Sequence, residues 1–156
     1  MSTTDANAEL IRRFYTAFAR RDAAAMGDCY APGVSFGDPV FPELRGDDAR
    51  KMWRMLCARG KDLRVEFDRI EADDRRGSAR WIAHYTFSAS GRAVENRVEA
   101  RFEFADGRIV RHTDRFSFYR WARQALGLKG LLLGWLPALQ SAVQKQAAKG
   151  LREFKG

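Results

Sequence analysis

Cysteine and histidine are scarce, with two of each in 156 residues. Cys29 and Cys57 have neither metal-ligand nor redox spacing, and each lies beside apolar neighbours on an expected helix face. They read as reduced, buried thiols, not as a disulfide framework. With so few soft or imidazole ligands, no metal site is expected. A glycine-rich phosphate loop and a nucleophile elbow are both lacking, which removes the commonest phosphate-binding and serine-hydrolase signatures. Asp5 and Glu9 interrupt any apolar run near the start, so no secretory leader is expected and the expected location is cytoplasmic. The longest apolar stretch, Leu126 to Leu139, is broken by Lys129 and Pro137 and is too short to span a bilayer. No internal repeat, low-complexity stretch or linker is evident.

Charge is plentiful but uneven. The formal net charge is +8, and from Tyr119 onward there are seven basic residues and one acidic. The body before Tyr119 is nearly balanced, with 21 basic and 19 acidic residues. A nucleic-acid binder would carry a basic stripe on its folded body, so nucleic acid is not an expected partner.

The most informative pattern lies between Arg92 and Phe118, which alternates like two antiparallel strands. Val94, Asn96, Val98, Ala100, Phe102 and Phe104 form one row, backed by Glu95, Arg97, Glu99, Arg101 and Glu103. The next strand carries Val110, His112, Asp114, Phe116 and Phe118 on its apolar row. A period of two with one apolar row predicts a half-buried strand. Asn96, His112 and Asp114 therefore point inward, where unpaired polar groups are costly. They form either a satisfied internal network or the lining of a pocket.

Helical spacing predicts an amphipathic helix over 5–20, with Leu10, Ile11, Phe14, Tyr15 and Phe18 on its stripe. Asp22 caps a second, shorter helix to about Tyr30, and a short extended piece spans Val34 to Asp38. Asp47 caps a third helix with the stripe Ala49, Met52, Trp53, Leu56 and Cys57. Leu63, Val65 and Phe67 alternate and Ile70 falls out of phase, which predicts a bulge near Asp68 and Arg69. Trp81, Ala83, Tyr85 and Phe87 share a face on the following strand, and Ser90-Gly91 and Asp106-Gly107 mark two hairpins. Four sequential antiparallel strands after three helices make an α+β class. Beyond Phe118, short helices joined at Gly127, Gly130, Gly134 and Pro137 lead to a stripe of Leu139, Val143, Ala147, Leu151 and Phe154. The expected organisation is a 1–118 domain with a basic helical extension, 119–156, packed on it.

The order of helix pair, short strand, helix and curved antiparallel strands resembles the nuclear transport factor 2-like superfamily, in particular its SnoaL-like and ketosteroid isomerase-like members. The resemblance spans about residues 8–118. It is carried by Phe14-Tyr15-Thr16-Ala17-Phe18, by Cys29-Tyr30-Ala31-Pro32-Gly33-Val34-Ser35-Phe36-Gly37-Asp38-Pro39-Val40, and by Phe102-Glu103-Phe104 with Asp106-Gly107-Arg108-Ile109-Val110 and His112. It implies a cone-shaped, cystatin-like fold in which a bent sheet wraps a long helix around an apolar pocket. It also implies that Asp38 stands at the isomerase's general-base position. The isomerase's tyrosine donor falls on Phe14, with Tyr15 one residue off, and its carboxylic acid donor on Ala100 or, with a slip of one, Glu99. Losing both donors argues against steroid isomerisation. The Asp-Arg-Asp set of limonene epoxide hydrolase falls on Trp81, Ala83 and Ser117, which cannot perform that chemistry. The catalytic aspartate of the SnoaL-type cyclase also falls near Ser117.

Two readings stand at each candidate. Asp38 is a general base in an apolar pocket or an Asx-turn residue before Pro39. His112 and Asp114 are an acid/base pair or a structural network, and Asn96 orients a substrate or satisfies His112 across the hairpin. His84, on the opposite row, reads as a surface or interface residue. Tyr15, Tyr30, Phe36, Trp53, Trp81, Tyr85 and Phe116 are dense enough to wall a pocket for a small apolar organic ligand. If the protein is an enzyme, cofactor-free isomerase, cyclase or hydrolase chemistry by Asp38, His112 and Asp114 is expected. The alternatives are a non-catalytic binding or accessory protein, and a membrane-surface or assembly module acting through the basic tail. A homodimer is the expected assembly.

Overall fold

A computed structural model describes residues 2–156. Helix α1 (Thr3–Ala19) and the short α2 (Ala23–Asp28) precede β1 (Tyr30–Gly37), β2 (Leu44–Arg45) and α3 (Asp47–Arg59). Then come β3 (Arg64–Ala72), β4 (Arg76–Phe87), β5 (Arg92–Ala105) and β6 (Arg108–Arg115), followed by α4 (Phe118–Leu126), α5 (Leu128–Leu133) and α6 (Pro137–Glu153). The strands form one curved, unclosed six-stranded sheet in the order β2-β1-β6-β5-β4-β3. The fold is α+β, as expected.

Local chemistry accounts for the helix starts. Ser2 Oγ accepts from the Asp5 N–H at α1, and Asp22 caps α2 through Ala25. At α3 the cap is Gly46, at φ 56°, and Asp47 is the first helical residue, where its charge complements the helix dipole. The buried stripe of α3 takes Met55 where the sequence suggested Leu56, which stays at the surface. Tyr30 opens β1 instead of closing α2.

α1 lies across β3 and β4 and buries Leu10, Ile11, Phe14, Tyr15 and Phe18. The approach is close: a Cβ on Gly77 would sit 2.8 Å from Ile11 Cδ1 and 2.9 Å from Phe104 Cε2. The expected bulge occurs in β3, where the pairing shifts between Asp68 and Glu71 and Arg69 takes φ 53°. A second bulge was not expected. Glu103 pairs with Arg111 and Phe104 with Ile109, leaving Val110 as the extra residue. Ile109, fully buried, therefore takes the inward place assigned to Val110, while His112 and Asp114 keep their inward phase. Phe118 is not on β6. Ser117 accepts from the Arg120 N–H and starts α4, so Phe118 packs from a helix.

β1 runs parallel to β6, with Phe36 opposite His112 and Gly37 opposite Thr113. At the far side, α4 buries Phe118, Trp121, Ala122 and Ala125 against Val94, and α6 returns along the body. Leu151 of α6 belongs to the same buried cluster as α1 and the sheet, with Ala147 and Phe154 packed on it.

Candidate functional site

The two inward polar groups of β6 are among the most buried in the protein. His112 is 0% exposed and Asp114 3%. Around the imidazole stand Phe14, Phe36, Trp53 and Phe102, with ring centroids 5.4, 5.1, 6.1 and 4.4 Å away. The interior expected to be an apolar hollow is thus filled by rings around His112.

Within that packing runs a single hydrogen-bonded chain. Trp53 Nε1 donates to Tyr30 Oη at 2.9 Å, and Tyr30 Oη lies 2.8 Å from His112 Nδ1. His112 Nε2 lies 2.8 Å from Asp114 Oδ1, which also accepts from Trp81 Nε1 at 3.4 Å. The donor inventory determines the tautomer. An indole N–H can only donate, so the Tyr30 oxygen accepts it, and Nδ1 is the one acceptor offered to the Tyr30 O–H, which donates to it. His112 then carries its proton on Nε2 and donates to Asp114. A doubly protonated imidazole would leave the Tyr30 O–H without an acceptor. Every donor in the chain points toward the Asp114 carboxylate, and every member is satisfied. Burial, above all, holds the Tyr30 hydroxyl well above its ordinary pKa, which keeps it a donor.

Asp114 also forms part of the wall of a cleft of about 430 Å³ at the rim of the sheet. Its other walls include Asp38, Phe36, Pro39, Pro42, Glu43 and Arg111. The cleft exists because β1 ends at Gly37 while β6 continues to Arg115, leaving Asp114 beside the Asp38 loop. Asp38 Oδ1 accepts from the N–H groups of Val40 and Phe41 at 2.7 and 2.6 Å, an Asx turn. Asp38 thus holds its own turn, as the Asx-turn reading expected, and it also lines the cleft shared with Asp114. Burial above all, together with the nearby Asp114 charge and against the lowering effect of the two backbone donors, pushes its pKa up to about 7.

The other candidates divide. Tyr15 is fully buried beside Phe67 and Trp81, and its Oη is the one fully buried side-chain polar atom without a hydrogen-bond partner among the described residues. Tyr85 accepts from Trp121 Nε1 at 2.9 Å, its own hydroxyl pushed up to about 12 by burial. It packs with half-buried Phe116 at the α4 side, away from the relay. Asn96 is half-buried opposite Ala83 on β4, and the cross-hairpin neighbours of His112 and Asp114 are Phe102 and Ala100. Asn96 therefore does not satisfy His112. Tyr30, 82 residues away in sequence, does so. His84 lies on the outer face, 3.6 Å from both Glu66 and Glu95. Burial raises both free thiols, Cys57 to about 11, as befits inert side chains.

Sequence reasoning missed Glu43, Arg111 and Thr113 as cleft residues, and the Trp53–Tyr30 bond. Arg111 and Thr113 enter only through the parallel β1–β6 pairing, for which no local pattern exists. An aromatic donor next to a tyrosine in space leaves no spacing signal.

The SnoaL-like domain model matches residues 11–112. The chain belongs to the SnoaL-like domain family. Its fold places this family member within the nuclear transport factor 2-like superfamily. Among solved structures, it is similar to a candidate polyketide cyclase of Xanthomonas campestris pv. campestris, at 25% identity and a TM-score of 0.65 over 80% of this chain and 99% of that one. An LEH-like epoxide hydrolase of M. tuberculosis is 20% identical, with a TM-score of 0.65 over 87% and 99%. A candidate SnoaL-like polyketide cyclase of Jannaschia sp. CCS1 is 12% identical, with a TM-score of 0.72 over 81% and 96%. No curated protein sequence matches the chain.

Proposed function

We propose that this SnoaL-like protein performs proton-transfer chemistry on a small organic molecule held in the rim cleft, without a cofactor. One observation carries the reading: two carboxyl groups, Asp38 and Asp114, line one cleft of ligand size. Asp38 is the proton-transfer group. A carboxyl with a pKa of about 7 is present in both protonation states near neutrality, so it can take a proton from an activated C–H or a bound water and return it. Asp114 supplies a fixed negative charge oriented by His112 and Trp81. His112 is a positioning residue. It is enclosed by rings and reaches the cleft only through Asp114. Phe36, Pro39 and Pro42 provide the apolar wall, and Arg111 offers a cation for a developing oxyanion. Reactions of this kind fit isomerase, cyclase or hydrolase chemistry, and the structural relatives described above include candidate polyketide cyclases and an epoxide hydrolase.

The test is a panel of three probes: an aromatic poly-β-ketone, a cyclic alkene epoxide and a β,γ-unsaturated ketone. Turnover of one of them, reduced about a hundredfold or more by Asp38→Asn, is the expected result. Equal turnover by wild type and Asp38→Asn would refute the assignment.

A second reading has its own support in the filled interior. A non-catalytic binding protein needs no proton donor, and it predicts ligand-dependent thermal stabilisation that survives both Asp38→Asn and His112→Gln, with no turnover of any probe.

A further inference from the structure

The largest group of exposed apolar side chains lies outside the cleft lining and is not used by the reading above. Leu128, Leu131, Leu132, Leu133 and Trp135 are all exposed, Leu128 and Trp135 at 70%. They occupy α5 and the turn behind it, within eight residues, so the exposure is concentrated and not scattered. The segment is rigidly presented. Gly127 turns the chain at φ 64°, and Gly130 lets α5 rest against the Ala122 carbonyl of α4, where a Cβ would collide. Tyr119 Oη donates to the Leu131 carbonyl at 3.0 Å.

Three further observations say what covers this patch. First, its tryptophan ring N–H and several of its backbone N–H groups are already paired internally. Trp135 Nε1 donates to the Leu132 carbonyl at 3.0 Å, and the N–H groups of Leu131, Gly134 and Leu136 donate to Gly127, Gly130 and Leu133. The indole, which would be the costliest side-chain donor to bury, can therefore enter the headgroup–acyl boundary with its hydrogen bond intact. Second, seven cations and one acidic residue, Glu153, lie from Tyr119 onward, and none of those cations is ion-paired among the described residues. Lys129 lies within the patch segment, and Arg120 and Arg123 lie on α4, which packs against α5. Two copies meeting face to face would oppose like charges there, whereas anionic headgroups complement them. Third, the apolar stripe of α6 is spent on the body, with Leu139 and Leu151 buried and Val143, Ala147 and Phe154 packed against core clusters. The basic α6, part of the tail for which membrane contact was one alternative on the sequence, has its apolar stripe packed on the body.

We propose that Leu128–Trp135 is an interfacial anchor for an anionic lipid bilayer. Leu128, Leu131, Leu132 and Trp135 enter the headgroup–acyl boundary, and Arg120, Arg123 and Lys129 engage lipid phosphates. The contact is peripheral, since no helix among the described residues is long and apolar enough to cross a membrane.

The full chain is mixed with vesicles of phosphatidylcholine alone or with added phosphatidylglycerol, and binding is read by co-sedimentation and tryptophan fluorescence. Trp53, Trp81 and Trp121 are buried, so a spectral shift on binding reports Trp135. The expected result is salt-sensitive binding to anionic vesicles, with a blue shift and protection from aqueous acrylamide. Leu132→Ser and Trp135→Ser each weaken partitioning about tenfold. The Arg123→Gln/Lys129→Gln double variant loses the preference for anionic lipid. Trp135→Phe keeps binding but loses the spectral shift. These positions are exposed, and an unchanged melting curve shows that each variant is folded. Absence of binding at low salt overturns the proposal. So does binding that ignores Leu132→Ser and Trp135→Ser, which assigns the effect to tail charge alone. A concentration-dependent dimer dispersed by Leu132→Ser gives the patch to a second copy and also overturns it.

Discussion

His112 illustrates how one residue's chemistry is decided by its neighbours. Its imidazole has two faces to satisfy, and the Trp53–Tyr30 pair on one side forces the proton to the other, toward Asp114. Asp38 differs because its environment raises its proton affinity. A folded-state pKa of about 7 means the folded protein keeps this proton between about pH 4 and 7 while the unfolded chain has released it. The group's favourable contribution is therefore complete below about pH 4, declines as pH rises, and is lost above pH 7. Asp38→Asn keeps an oxygen for the Val40 and Phe41 N–H groups and removes the titration. We expect wild type to lose up to about 4 kcal/mol more stability than Asp38→Asn between pH 4 and 8, an upper bound because Asp38 retains solvent contact. Urea unfolding at both pH values checks this, and identical losses in the two proteins would contradict the raised pKa. Tyr15 carries the opposite lesson. Its buried Oη has no partner, so Tyr15→Phe should be neutral or stabilising by about 1 kcal/mol. A loss of more than about 1 kcal/mol on thermal unfolding would show instead that water or ligand occupies that hydroxyl.

At the scale of elements, bulges and crossings move residues off the places that simple periodicity assigns. The inward rows of β4 and β5 follow the period of two from the sequence, and the β3 bulge was legible because Ile70 breaks phase. The Val110 bulge was not, since Ile109 and Val110 are both apolar and either could face inward. Met55 and Leu56 are indistinguishable by composition for the same reason. The α4–α5 crossing rests on Gly130, whose missing Cβ admits the Ala122 carbonyl. Gly130→Ala should separate the two helices and cost about 2–3 kcal/mol, seen in melting curves and as faster amide exchange in α4 and α5. Unchanged exchange there would mean that the crossing tolerates a methyl group.

For the molecule as a whole, α6 ties the end of the chain to both the core and the cleft. Leu151 packs with the main cluster, and the Nε2 groups of Gln140 and Gln144 each donate to the Pro39 carbonyl at 3.0 Å. The Asp38 turn is thereby held from behind. Leu151→Ala should cost about 2–4 kcal/mol in unfolding free energy, as in a continuous core. A cost below about 0.5 kcal/mol would mark α6 as a separable appendage. By itself the sequence determined what backbone periodicity can encode: the helices, the alternating strands, the inward phase of His112 and Asp114, and the SnoaL-like order of elements. Only the tertiary structure decided which groups meet. The pairing of Tyr30 with His112, the sharing of a cleft by Asp38 and Asp114, and the filling of the interior by aromatic rings all depend on strand order and register. Those arise from long-range packing, whereas a period of two or 3.6 is a property of neighbouring residues and says nothing about which distant side chain completes the contact.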